Sequence, residues 1–92
     1  MINTVQVSKQ AEKDLKKTPM LIKKKLFIWV SAVEERGLEE VRKTQGYHDE
    51  PLHGERKGQR SIRLNKQWRA IYRIVNDKIE FILDEEVTAH DS

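Results

Sequence analysis

Residues 53–73 read HGERKGQRSIRLNKQWRAIYR and carry seven arginines and lysines against a single glutamate. Inside this stretch the hydrophobic period becomes two. In RSIRLN, Ile62 and Leu64 share one side while Ser61, Arg63 and Asn65 take the other. In WRAIYRIV, Trp68, Ala70, Tyr72 and Ile74 alternate with Arg69, Ile71, Arg73 and Val75. A period of two is the signature of strands with one apolar face. The next segment, KIEFILDEEV, groups Ile79, Phe81 and Leu83, and Asn76-Asp77 is the tight turn before it. The pattern predicts a three-stranded antiparallel meander.

Upstream the period lengthens. Residues 2–7 are β-branched and mixed, as in a short strand. Ser8 is placed to cap a helix over 9–17, where Ala11 and Leu15 make a narrow apolar stripe between lysines. Thr18 reads as the cap of a second helix that starts at Pro19, a residue suited to a first turn because its missing N–H would be unpaired there. Ile22, Leu26, Trp29 and Val33 carry its stripe towards Arg36, and Gly37 follows as a left-handed C-cap. Residues 38–59 contain Gly46, Pro51, Gly54 and Gly58 and read as a connection, with a helical turn over 38–43.

The economical assembly is α+β over residues 1–92, a single domain of order β-α-α-β-β-β, with a two-helix hairpin on one face of a mostly antiparallel four-stranded sheet. Strand alternation then sends Arg63, Arg69 and Arg73 to the uncovered side. The cations of the opening stretch would be displayed together from neighbouring strands.

Composition narrows the function. With 92 residues the chain has the size of one domain, and without cysteine it has no disulfide framework and no thiolate metal cage. Three histidines do not by themselves suggest a metal site, so neither metal nor cofactor is expected. No run approaches the ~18 apolar residues of a membrane span, and the expected location is the cytoplasm with no membrane partner. The net charge is only +3, but it is unevenly spread: residues 77–92 hold six acids and one lysine. Arginine forks match phosphate oxygens, so clustered arginines on rigid strands suit a nucleic-acid backbone. A solvated charged face, balanced by the acidic tail, would explain a lone basic strand; the clustering argues for an anionic partner. Trp68 falls on the apolar side and reads as core before it reads as a base-stacking platform.

The segment PLHGERKGQRSIRLNKQWRAIYRI, residues 51–74, resembles the signature of the RelE/ParE superfamily of bacterial toxins, most closely its HigB-like branch. That branch has a Pro-Leu-x-Gly-x-x-x-Gly loop leading into Ser-Ile-Arg-Leu-Asn and a Trp-Arg strand. The closing EEVTAHDS resembles the branch's last strand, and the element order agrees along essentially the whole chain. The resemblance implies a RelE-like fold and the toxin of a type II toxin-antitoxin pair: a ribosome-dependent endoribonuclease that cuts mRNA without a metal. It implies as partners a HigA-like helix-turn-helix antitoxin, the 70S ribosome and mRNA, with operator DNA reached only through the antitoxin complex. Carried over by position, Arg69 would stabilise the phosphate charge, with His53, His90 and Asp91 as acid–base candidates. Arg63, Arg73, Arg60, Lys57 and Arg56 would hold the RNA phosphates. Ser92 departs from the family's tyrosine and cannot stack on a base. This implies weakened activity, compensation by His90 and Tyr72, or a sequence shortened or altered at that end. Two other readings stand beside the nuclease: a ParE-like inhibitor of DNA gyrase that cuts no RNA, and a non-enzymatic nucleic-acid-binding module.

Overall fold

The structure is a computed structural model and describes residues 1–86. It contains β1 (Val5–Val7), α1 (Lys9–Lys16), α2 (Met20–Arg36), α3 (Leu38–Val41), β2 (Glu50–Pro51), β3 (Arg60–Arg63), β4 (Trp68–Val75) and β5 (Lys78–Glu86). The five strands form one sheet in the order β1-β5-β4-β3-β2. β2 through β5 pair antiparallel, while β1 lies parallel to β5 with Val5 opposite Ile79 and Val7 opposite Phe81. The α+β class and the order of the main elements match the expectation. The fifth strand does not appear in the sequence pattern, because two residues paired with Ser61 and Arg60 are too short to show a period.

Local chemistry explains most boundaries. The Ser8 side chain accepts a hydrogen bond from the Ala11 amide at 3.1 Å and starts α1. Asn76 and Asp77 both adopt positive φ, 51° and 62°, as a two-residue hairpin turn between β4 and β5 requires. Gly37 ends α2 at φ 88°, and its amide donates to the Val33 carbonyl at 2.8 Å. The cap of α2 is a correction: the N-cap is Pro19, with no side-chain bond. Thr18 is instead buried, and its hydroxyl lies 2.8 Å from the Asp14 carbonyl and 2.5 Å from an Asp84 carboxylate oxygen. A hydroxyl has one proton to donate, so both contacts are satisfied together when Asp84 itself carries a proton. Burial pushes the Asp84 carboxyl above its usual range, and the Asp14 charge adds to this against the opposing Thr18 hydrogen bond.

The core lies between α2 and the sheet. Ile22, Leu26, Trp29 and Val33 of α2 are all buried, as their spacing predicts, against Ile62, Leu64, Ala70, Tyr72, Ile79 and Phe81. Trp29, Tyr72 and Phe81 meet in a three-ring cluster with centroids 5.3 to 5.8 Å apart. Such tilted and edge contacts add to the area these large side chains remove from water. Ile74, on the same side of β4, reaches the strand end and is exposed.

One expectation about the sheet fails informatively. The pairing of β4 with β5 slips between Ile71 and Tyr72, so Ile82 is an extra residue on β5. This β-bulge reverses the parity of everything after it. Leu83, expected beside Ile79 and Phe81, turns to the open face opposite Ile71, and Asp84 turns inward under α1.

Candidate nucleic-acid interface

The open face is organised as rows across three strands. Arg63 on β3, Arg69 on β4 and Glu85 on β5 are directly in register. The next row holds Ser61, Ile71 and Leu83, and the one beyond it pairs Arg73 with Glu80. Like charges directly opposite each other on a sheet are destabilising. The Arg63–Arg69 pair persists because Glu85 offsets it: both the Nε and an Nη of Arg69 contact the Glu85 carboxylate, at 2.8 and 2.6 Å. Arg73 is held in the same way by Glu80, at 2.8 and 2.7 Å. Arg63 is exposed and has no carboxylate partner among the described residues. The outward display of these arginines is therefore as the alternation predicts, but two of the three forks are already half engaged.

At one end of this face lies a cleft of about 210 Å³ lined by His48, Glu50, Ser61, Arg63, Asn65, Lys66, Trp68 and Arg69, with Ile62 at its floor. It is smaller than the roughly 300–1,000 Å³ of pockets that enclose a drug-sized ligand, and so suits a short length of phosphodiester better than a swallowed base. Its rim is fixed by the β3–β4 turn. The Asn65 side chain accepts from the Gln67 and Trp68 amides at 2.7 and 2.8 Å, and the Trp68 carbonyl accepts from the Leu64 amide at 2.9 Å. Trp68 itself is half-buried; it packs against the core cluster and still borders the cleft.

The remaining candidates separate. His53 precedes the 3-10 turn Gly54–Arg56, exposed and away from the cleft lining, with Arg56 and Lys57 on the same loop. Arg56 donates to Gln59 at 2.9 Å. Arg73 stands four residues along β4 from Arg69, roughly 13 Å at ~3.3 Å per residue. Arg60 is on the other side of the sheet: it shares the face of Ile62 and pairs with Asp49 at 2.5 Å. Burial opposes the Arg60 charge, but the hydrogen bond and charge of Asp49 outweigh it and raise the guanidinium's pKa. Asp49 also accepts from the Tyr72 hydroxyl at 2.6 Å. Burial, and then that bond, push the phenol far above its usual value. Tyr72 is fully buried and so cannot stack on a base in place of a terminal tyrosine. His90 and Asp91 lie outside the described residues.

Three cleft residues escaped the sequence reading. His48 adopts a left-handed conformation, φ 47°, at the end of the 3-10 turn Gln45–Tyr47, and Glu50 reaches the cleft because β2 pairs with Ser61. Lys66 stands in the β3–β4 turn. The histidine and the glutamate come from a segment without hydrophobic period, so only the strand pairing reveals them. Among the described residues no group of three or more His, Asp or Glu side chains could hold a metal, and no helix is long and apolar enough to cross a membrane.

Comparison with known proteins agrees with this fold. Residues 6–86 match the model of the HigB-like toxins, described as the RelE-like toxin of the type II toxin-antitoxin system HigB. Among solved structures, YafQ from E. coli strain BL21(DE3) superposes with a TM-score of 0.72 at 22% identity, over 91% of this chain and 92% of that one. A chain of the E. coli DinJ–YafQ toxin-antitoxin complex gives a TM-score of 0.71 at 22% identity over 94% and 93%. One from the YoeB–YefM complex of Staphylococcus aureus gives 0.69 at 19% identity over 89% and 93%. At these identities the likeness shows a shared fold. No curated protein matches the sequence.

Proposed function

The chain belongs to the HigB-like family of RelE-like toxins of type II toxin-antitoxin systems, and from that premise we propose that it is a ribosome-dependent endoribonuclease that cuts mRNA at the Arg63–Arg69 cleft. The observation that carries the reading is the register of those two arginines beside Lys66, His48 and Glu50.

The chemistry asks little else. A base removes the proton of a ribose 2′-hydroxyl, and that oxygen attacks the adjacent phosphorus. The 5′-oxygen of the next nucleotide leaves with a proton from an acid, giving a 2′,3′-cyclic phosphate and a 5′-hydroxyl. The extra negative charge on the pentavalent phosphate is met by cations fixed in advance. Arg69, held by Glu85, is pre-oriented for this, and Arg63 and Lys66 hold the flanking phosphates. His48 and Glu50 are the proton-transfer groups of the cleft, an imidazole being suited to the task by a reference pKa of about 6.5. Trp68 borders the cleft where a neighbouring base would stack. His53, Arg56 and Lys57 would serve as more distant anchors for the RNA or the ribosome.

As a type II toxin the chain has a cognate antitoxin. In this reading a HigA-like protein covers the basic open face with an acidic segment, and operator DNA is bound by the antitoxin half of the complex.

The test is a purified translation system read by primer extension, beside a gyrase supercoiling assay. Wild-type chain is expected to give discrete breaks in ribosome-bound mRNA, and the folded variant Arg69→Ala is expected to give none. Unimpaired cleavage by that variant, or inhibition of supercoiling with intact mRNA, would overturn the proposal.

A further inference from the structure

The outer side of α2 is unlike the rest of the surface. Leu21, Phe27 and Ile28 stand 77%, 55% and 62% exposed on it. Phe27 and Ile28 border a shallow groove of about 650 Å³ that is also lined by Lys24, Ser31, Ala32, Glu35 and Arg36. An exposed apolar patch of this kind, rimmed by charge, marks an interaction site.

The order of residues along the groove indicates the occupant. Lys24, Ile28, Ser31 and Glu35 lie at spacings of four, three and four, a sequence of steps that reads the same in both directions. Turned by a two-fold axis between residues 29 and 30, this face meets a second α2 in antiparallel register. Lys24 then faces Glu35 of the other copy, twice by symmetry. The bulky Ile28 falls opposite the small Ser31, while Phe27 and Ala32 flank the seam on its two sides. Plus meets minus at both ends of the seam and large meets small at its centre, which is what a self-complementary, isologous contact requires.

We propose that the outer face of α2 is a homodimer interface, in which two copies pair antiparallel with Lys24 on Glu35 and Ile28 over Ser31. One helix face is small beside the ~1,200 Å² of a stable interface, so the association is reversible and concentration-dependent. It leaves both clefts free, because α2 covers the opposite side of the sheet.

Sedimentation equilibrium of the purified chain tests this. Wild type is expected to self-associate as its concentration rises, and Ile28→Asp to remain monomeric. Lys24→Glu alone and Glu35→Lys alone each turn attraction into repulsion at two symmetric positions and are expected to weaken association about tenfold or more. The two variants mixed one to one restore both charge pairs in a heterodimer, and the combined variant Lys24→Glu/Glu35→Lys restores them in a homodimer. Both are expected to return to within about threefold of wild type, with unchanged circular dichroism throughout. The proposal is overturned if wild type is monomeric up to its solubility limit. It is equally overturned if neither the mixture nor the combined variant associates more tightly than the single ones. Loss of antitoxin binding by Ile28→Asp, with wild type monomeric alone, would assign the face to the antitoxin instead.

Discussion

The two faces of the sheet use the same ion pair for opposite ends. On the helix side Arg60, Asp49 and the Tyr72 hydroxyl form a closed network in which the Asp49 side chain is 1% exposed. On the open side Arg69–Glu85 and Arg73–Glu80 lie in water, with 37% and 50% of the arginine side chains exposed. Within the buried network both Asp49 oxygens are committed, one to Arg60 and one to the Tyr72 hydroxyl, so it contributes rigidity and no reactivity. The exposed pairs contribute little stability, and their value lies in aiming guanidinium groups that still have N–H donors to spare. Arginine in a strand therefore says nothing about role until its partner and its face are known.

The sharpest way to break this contrast is to remove one carboxylate from each side. Asp49→Ala leaves Arg60 and the Tyr72 hydroxyl without their acceptor in a largely dry site, and should destabilise the fold by about 3 kcal/mol or more in urea unfolding. Glu85→Ala should cost under about 1 kcal/mol in the same measurement. Arg69→Ala should reverse that ranking when cleavage is measured: a loss of roughly 10² to 10³ in rate, with the unfolding midpoint nearly unchanged.

Asp84 and Asp49 are both buried carboxyls, but in different company. Asp84 is buried without a cation partner among the described residues, and one of its oxygens has no hydrogen bond. Because burial holds its folded pKa above the unfolded value, the fold binds a proton there more tightly than the unfolded chain does. This contribution is complete below about pH 4 and is lost as the pH rises through the raised folded value. Asp84→Asn, which has no charge to bury, should therefore gain on the order of 1 kcal/mol at neutral pH and flatten the pH profile of stability. Smallest of all, Arg73→Ala should change cleavage by less than about threefold, since its fork lies roughly 13 Å from Arg69 along β4.

Much of the scaffold was legible in the sequence because it rests on local rules. The stripe of Ile22, Leu26, Trp29 and Val33, the Ser8 cap and the Asn76-Asp77 turn each depend on neighbours within a few residues. What escaped depends on distant partners. Ile82, Leu83 and their neighbours are equally apolar, so nothing in the local pattern tells which of them is the extra residue of the bulge. The cleft was half legible. Arg63 and Arg69 followed from alternation, and the same alternation puts Arg60 on the side of Ile62, against the phosphate-binding role the resemblance implied; its partner Asp49 accounts for a cation there. His48 and Glu50 were hidden because a two-residue strand brings them in. The family resemblance supplied His90 and Asp91, on which the described residues do not bear.

The parallel pairing of β1 with β5 also sets an order of events in time. Among the described residues β1 finds its one sheet neighbour in β5, with Val5, Gln6 and Val7 against Ile79, Glu80 and Phe81. A growing polypeptide must therefore carry that amino-terminal strand unpaired until residues 78–86 have been synthesised, a long-range closure of the kind that slows folding. Glu85, which aims Arg69, arrives in the same segment. Until residue 85 has been made, Arg69 lacks the carboxylate that aims it, and the enzyme proposed here would be incompetent.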